Sequence, residues 1–403
     1  MPQDTLTPPP ITRRYRTLLA ARESAPTGLE SLESTEAPTA DLSDSAIDAR
    51  VETTKASLYD IIKNHLGNKP ELYEIANKIV SDGGEALRVL RGEDDADLAE
   101  RGDVIDSLEA IVRTDGSRPS FMIRNGDVDL TTSPAGAWQN DIGMSMEQLR
   151  DAFDCVGRID VPGSSQGFQG TGFLVHDNLI ITNRHVLQVT ADFQADGEWR
   201  VKPGAAIDFG HEFNARESLN RRALKRLVFA GPDPIRNFID HKKLDLALFE
   251  LEPLDPAAAK PRIVLRIDGT ADWNQPKRQM YIVGYPGSPA LGQAPLTLLE
   301  QLFQSTFGHK RLAPGELMTS QAGVHTWTVA HDATTLGGNS GSVVLLFDNE
   351  QVAAGLHYGG RWSDPRENWA HMLGLVLNKA DKSGKTLREY LNDFDVQPIG
   401  NVN

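Results

Sequence analysis

Apolar residues first fall into a sustained rhythm between about 45 and 115. Leu58, Ile61, Ile62 and Leu66 recur at three- and four-residue spacing, which is one face of a helix. Gly67-Asn68-Lys69-Pro70 breaks the run. Pro70 suits the first turn of a following helix, where its missing N–H would find no intrahelical partner anyway. Leu72, Ile75 and Ile79 continue on one face until Gly83-Gly84 interrupts. Leu87, Val89 and Leu90 follow, and Ile105, Leu108, Ile111 and Val112 mark a last helix. The pattern predicts a small bundle of three to five helices over 44–115. Ahead of it, residues 1–43 are rich in Pro, Thr, Ser, Ala and Glu without a sustained period, which predicts a flexible arm.

Residues 116–145 read as a connector. Within it Arg124-Asn125-Gly126-Asp127 carries a hairpin-turn signature between the apolar runs 121–123 and 128–130. Trp138 is expected to pack this segment against a neighbour. From about 146 to 396 the period shortens. Runs at 172–175, 179–182, 246–251, 280–283, 343–347 and 352–356 are short, apolar and often β-branched, with Gly, Pro and Asn between them. Many short strands with turn signals predict an all-β sandwich or barrel. Residues 385–394 (KTLREYLNDF) predict one amphipathic helix, and 397–403 a tail.

Composition narrows the picture. The chain has 403 residues, 39% hydrophobic, enough for a core in more than one folded unit. Its formal net charge of −15 would repel nucleic-acid phosphates, and no Lys/Arg run offsets it. One cysteine, Cys155, excludes an intramolecular disulfide framework and fits a reducing compartment. No stretch approaches the ~20 apolar residues of a membrane span, and the N-terminal stretch lacks the roughly 7–15-residue apolar core of a secretory signal. The expectation is a cytoplasmic protein with no membrane or nucleic-acid partner. No H-E-x-x-H, paired C-x-x-C or dinucleotide fingerprint is present, so no metal or organic cofactor is expected.

Three local patterns carry candidate chemistry. The first is Gly170-Thr171-Gly172-Phe173-Leu174-Val175 followed by Leu179-Ile180-Ile181-Thr182-Asn183-Arg184-His185-Val186. The second is Leu244-Asp245-Leu246-Ala247-Leu248-Phe249. The third is Leu336-Gly337-Gly338-Asn339-Ser340-Gly341-Ser342. A serine hydroxyl is a poor nucleophile at neutral pH and needs a neighbouring base. His185 is the candidate base, since an imidazole titrates near the working pH. A buried carboxylate would hold its tautomer and stabilise its cation, and Asp245, leading into an apolar strand, is the candidate. Gly338 and Ser340 can aim backbone N–H groups at a developing oxyanion if the loop curls tightly. Cys155 reads as a buried thiol, and His176, His211, His241, His309, His325, His331 and His371 as ordinary surface or core histidines.

These blocks, in the order His, Asp, Ser, resemble the trypsin-like (chymotrypsin-fold) serine peptidases over about 150–395. Gly284-Tyr285-Pro286-Gly287 is similar to a segment common in bacterial members. The α/β-hydrolase elbow G-x-S-x-G fails because position 342 is serine. The resemblance implies a mainly β double barrel with a C-terminal helix, preceded by the helical domain. It implies a serine endopeptidase acting on protein or peptide through an acyl-enzyme, with triad His185, Asp245 and Ser340 and oxyanion hole Gly338 and Ser340.

The glutamyl endopeptidase branch is locally most similar, through Gly338-Asn339-Ser340-Gly341-Ser342 and Gly355-Leu356-His357-Tyr358-Gly359-Gly360. By that resemblance Thr335 and His357 line the S1 pocket and favour Glu, Asp or Gln at P1. Thr334 stands at the pocket base where trypsins carry aspartate. Asn339, in place of the aspartate before the nucleophile, cannot pair with a newly cut N-terminus, so activation of that kind is not expected. Residues 44–115 are the candidate for regulation, recruitment of a protein partner or self-association. The alternative reading is a non-catalytic interaction module built on the protease fold.

Overall fold

The computed structural model describes residue 19 and residues 41–65, 70–91, 118–132, 135–164, 167–213, 220–236, 239–254, 261, 263–287, 307–320, 322, 324–361 and 367–400. Of the arm predicted at 1–43, residues 1–40 other than Leu19 lie outside them, as does the helix expected around Ile105 to Val112.

Helix α1 (Asp44–His65) packs on α2 (Pro70–Arg91). Ile47, Thr54, Leu58 and Ile62 of α1 are buried at helical spacing, as are Ala76, Ile79, Val80, Ala86, Leu87 and Leu90 of α2. Gly83-Gly84, expected to interrupt, lies inside α2 instead. A Cβ on Gly84 would stand 3.2 Å from Val51 Cγ2, so the glycine permits close approach of the two helices. That packing outweighs the ~1 kcal/mol that an interior glycine costs a helix relative to alanine. Of the predicted three to five helices, the described residues of this region hold these two. No described helix is long and apolar enough to cross a membrane.

The segment expected as a connector is part of the β fold. Strands β1 (Phe121–Arg124) and β2 (Asp127–Asp129) form the predicted hairpin, with Asn125 at φ 54° and Gly126 at φ 76° making the turn. Helix α3 (Trp138–Phe153) follows, and Trp138, Ile142, Leu149 and Phe153 on its buried stripe join the main core. A boundary at 146 would therefore cut a helix. The sequence reading missed it because Asn140, Asp141 and Gly143 dilute the stripe.

Next come β3 (Val156–Asp160), β4 (Phe168–His176) and β5 (Leu179–Thr182), helix α4 (Arg184–Thr190), and the small hairpin β6 (Ala191–Phe193) and β7 (Trp199–Val201). Strands β8 (Ala206–Asp208), β9 (Arg221–Ala230) and β10 (Ala247–Leu251) complete a closed antiparallel barrel, ordered β10-β5-β4-β3-β8-β9. The second half holds β11 (Arg266–Ile267), β12 (Gln279–Gly284), β13 (Arg311–Met318), β14 (Thr328–His331), β15 (Val343–Leu346), β16 (Asn349–Arg361) and β17 (Glu367–Met372). Six of these close in the order β12-β15-β16-β17-β14-β13, because β12 also pairs with β13. β5, β10 and β15 are buried along their whole length, which is why they read as continuous apolar runs rather than alternating ones.

The first half of β13 pairs with β1 on the edge whose second half pairs with β14. The buried Lys310 Nζ donates to Phe153 O at the end of α3 (2.7 Å) and to Phe209 O just after β8 (2.8 Å), tying helix and barrels together. The chain ends with α5 (Leu373–Val376) and the predicted helix, shortened to α6 (Leu387–Asn392) and opened by a Thr386–Glu389 capping box. The expected tail is held in part: Ile399 exchanges backbone hydrogen bonds with Ile267 of β11 and with Gly269.

Candidate active site

Two neighbouring strands set the first half of the site. β5 and β10 pair with Thr182 opposite Ala247. Beyond these strand ends the chain leaving β5 carries His185, three residues after Thr182, and the chain entering β10 carries Asp245, two residues before Ala247. His185 N donates to Asp245 Oδ1 at 2.9 Å, and His185 Nδ1 faces Asp245 Oδ2 at 2.6 Å. Asn183 Nδ2 donates to Asp245 O at 2.8 Å. His371, on β17 of the other barrel, accepts from Asp245 N through Nε2 at 3.0 Å. The carboxylate is buried at 6% exposure while His185 keeps 32%, so one end of the imidazole is anchored and the other is open.

Charge follows this geometry. Burial favours neutral His185, but the Asp245 carboxylate and its hydrogen bond outweigh that and raise the imidazole above its ordinary 6.5. Burial likewise pushes Asp245 up, and His185 with its two hydrogen bonds overcomes it, leaving the carboxyl below 3.8. The pair is suited to hold a proton taken up on the far ring nitrogen.

The second half is a tight loop between β14 and β15. Gly338 and Gly341 sit at φ 90° and 89°, a region open to glycine. A Cβ on Gly341 would fall 1.9 Å from Thr171 O, and one on Gly338 would fall 2.6 Å from both Gly287 N and Tyr285 O. Thr171 of β4 stitches the loop to the first barrel: its N–H donates to Ser340 O (2.8 Å) and its hydroxyl to Gly338 O (3.0 Å). Gly170 has no room for a side chain, since a Cβ would stand 2.8 Å from both Ser340 O and Val186 Cγ2. This close contact brings the loop against the residue next to His185. Among the described residues, neither Gly338 N–H nor Ser340 N–H donates a hydrogen bond, which leaves both for a ligand oxygen. Nor does Ser340 Oγ bond to His185, a contact that commonly tightens only when substrate is bound. Asn339 is turned into its own loop, its Oδ1 accepting from Ser342 Oγ at 3.4 Å.

Thr335 lies in this loop and His357 on β16 beside it, and both are buried. His357 N donates to Ser342 O (2.9 Å) and His357 O accepts from Gly341 N (3.0 Å). His357 Nδ1 meets His331 Nε2 at 3.2 Å. Thr335 Oγ1 donates to Asn368 Oδ1 (2.7 Å), and Asn368 Nδ2 is fixed on Ala333 O (2.8 Å). Thr334 turns away and donates to Arg118 O at 2.7 Å. Burial, then His331 and His185, hold His357 well below 6.5, and burial takes His331 to about 3, so both rings are neutral at pH 7.

Sequence reading missed four residues here: His331, Asn368, His371 and Arg118. His331 and His371 were read as ordinary histidines. Asn368 had one available signal, a run of small residues across the sheet. Gly360 pairs with it, and a Cβ there would lie 2.2 Å from Asn368 Oδ1. Cys155 is buried as expected, and burial raises its thiol to about 12, so it is no nucleophile at neutral pH. Among the described residues no group of three or more His, Cys, Asp or Glu side chains is arranged to hold a metal ion.

Residues 170–354 match the family model of the trypsin-like peptidase domain. A protein from Lysobacter enzymogenes described as a probable serine protease is 28% identical over 270 residues, covering 63% of this chain and 70% of that one. Looser structural overlaps occur with the inactive form of the Rv3671c protease (15% identity, TM-score 0.34, 61% of this chain and 94% of that one) and with neuropsin, a serine protease of mouse brain (12%, 0.38, 56% and 92%). Those overlaps are too loose to add to the assignment. The two closed six-stranded barrels make a chymotrypsin-like double β-barrel, and the family-model match over residues 170–354 together with the serine protease relative supports a serine endopeptidase.

Proposed function

We propose that His185, Asp245 and Ser340 are the catalytic triad and that the N–H groups of Gly338 and Ser340 form the oxyanion hole. The observation that carries this is the double hold of Asp245 on His185, which presents Nε2 outward. In this reading Ser340 Oγ attacks the scissile carbonyl while His185 Nε2 takes its proton. Asp245 stabilises the imidazolium, and the two N–H groups hold the tetrahedral oxyanion. His185 then protonates the leaving amine, and water releases the acyl group by the same steps.

The pocket reading is finer. His331 Nδ1 is buried without a partner. An unpaired ring acceptor is cheaper to bury than an unpaired N–H donor. The favoured arrangement therefore has His331 Nε2–H donating to His357 Nδ1, which makes His357 Nε2–H a donor toward substrate. A neutral donor beside Thr335 suits a P1 side chain ending in a carboxamide or carboxylate, so Glu, Asp or Gln is the proposed preference. The helical region within 44–115 is proposed to regulate the protease or deliver it to its target, by binding a protein partner or a second copy. The single cysteine supports a reducing, cytoplasmic setting.

The test is a peptide-library cleavage assay on wild type beside Ser340→Ala. Cleavage lost in the variant, with Glu, Asp or Gln dominant at P1, supports triad and pocket. Cleavage lost with another P1 keeps the triad and discards the pocket. Cleavage retained by the variant removes the triad assignment.

A further inference from the structure

The β13–β14 pairing runs to Leu317 opposite His331, one further backbone bond follows from Asp332 N to Glu316 O at 3.1 Å, and past it the pocket wall leaves the β-ladder. Residues 332–336 are then held mainly by side chains. Asn368 secures Ala333 O and Thr335 Oγ1 from inside the barrel. From the outside the hold comes from a residue more than two hundred positions earlier. The guanidinium of Arg118, 3% exposed, grips Asp332 at both oxygens, Nε to Oδ1 and Nη2 to Oδ2, each at 2.7 Å. Nη2 also reaches Glu316 Oε2 at 3.3 Å, and the guanidinium lies over the Trp138 ring at 5.8 Å. The backbone of the same residue closes the clamp, since Arg118 O accepts from Thr334 Oγ1. Two residues on, Ser120 O accepts from the buried Arg311 at 2.8 Å, and β1 begins.

We infer that Arg118 is a positioning residue for substrate, bracing the pocket wall 331–335 from the stretch of chain that precedes the protease barrels. The inference rests on the reading that Thr335 and His357 line the S1 pocket. Its physical basis is the strength of a planar, two-pronged arginine–carboxylate pair out of water, and the cost of removing only one partner. Without the guanidinium, the partly buried Asp332 and Glu316 face each other with like charge. Glu316 N still donates to Asp332 Oδ1 (2.8 Å), so the two acids cannot simply swing apart. The wall must move, carrying Thr334 and Thr335 with it.

The experiment compares full-length wild type, Arg118→Met, Arg118→Lys and the double change Arg118→Met with Asp332→Asn. KM, kcat and the P1 profile are read on peptides, and Ser340 labelling is timed with a small fluorophosphonate that does not fill the pocket. Arg118→Met should raise KM on the order of tenfold and flatten the P1 profile, while kcat and labelling change much less. Lysine keeps the charge without the two-pronged geometry and should fall between. The double change removes the repulsion and should bring KM back toward wild type. The inference is overturned if Arg118→Met melts and labels like wild type and leaves KM and P1 profile unmoved. It is equally overturned if peptide turnover and labelling fall by one common factor, since that is a general structural loss. Should Arg118→Met fail to fold, the lysine and double variants decide on the same readings. Thr335→Val in the same panel checks the pocket itself. A profile unmoved by Thr335→Val removes the pocket, and this inference with it. A profile moved by Thr335→Val and not by the Arg118 variants removes the inference alone.

Discussion

Asp245 holds His185 at two atoms, taking the backbone N–H on Oδ1 at 2.9 Å and facing ring Nδ1 with Oδ2 at 2.6 Å. The first bond fixes where the histidine starts and the second fixes which way its ring points. Asp245→Asn keeps the shape but can turn an N–H toward Nδ1, forcing the wrong tautomer. The expected result is a fall in kcat on the order of 10⁴ with little change in KM or melting temperature. Steady-state kinetics beside a thermal melt check it.

The same pair sets the pH profile. His185 must be neutral to accept the serine proton, and Asp245 raises its pKa above 6.5. Activity should therefore climb with pH through a midpoint above 6.5, later than an unpaired histidine would allow. Asp245 stays ionised down to below 3.8 and adds no second limb near neutrality. A kcat/KM profile from pH 5 to 9 with its midpoint below 6.5 would contradict the assignment.

Gly338→Ala should separate the oxyanion loop from the rest of the site. The added methyl meets Gly287 N and Tyr285 O at 2.6 Å, so the loop must shift and its free N–H groups lose their aim. A drop in kcat of about 10²–10³ is expected, the scale of losing one oxyanion donor. Burst kinetics with an activated ester should show acylation slowed.

If His357 reads the P1 side chain, cleavage after Glu and after Gln should diverge with pH. The ring is neutral in the free enzyme because burial holds its pKa well below 6.5. A bound carboxylate favours the protonated ring, whereas a carboxamide does not. The ratio of kcat/KM for Glu over Gln should rise as pH falls. Matched peptide pairs measured across the pH range test this, and a flat ratio speaks against His357 as the reader.

Truncation should discriminate by position. Removing 1–91 takes away α1 and α2 and should leave peptide hydrolysis intact. Removing 1–140 also strips β1 from β13 and Trp138 from the core, and should lower the melting temperature sharply or abolish soluble protein. Melting curves and turnover of the two truncations decide it.

The proposed triad was legible in the sequence because its signals are local. His185, Asp245 and Ser340 each stand in a short run whose neighbours serve the same purpose: a buried strand leading in, or glycines letting a loop curl. The 124–127 turn was legible for the same reason, because only residues comfortable at positive φ can build it. The supports of the proposed pocket were not. Arg118 and Asp332 are separated by 214 positions, and His371 reaches Asp245 across 126. Nothing around a lone arginine or a strand histidine reports which distant group it will meet. Periodicity misled for a related reason. Gly83-Gly84 looked like a break, yet tertiary packing of α1 on α2 outweighs a weak local preference. The 116–145 stretch looked like a connector because a two-strand hairpin has no core of its own until β13 supplies one. Local backbone preference and side-chain chemistry thus determined the barrel strands and pointed to the candidate triad. Which strands meet, and which distant side chains pair around the loop that carries Ser340, was decided by burial, where a polar group must find a partner wherever the fold places one.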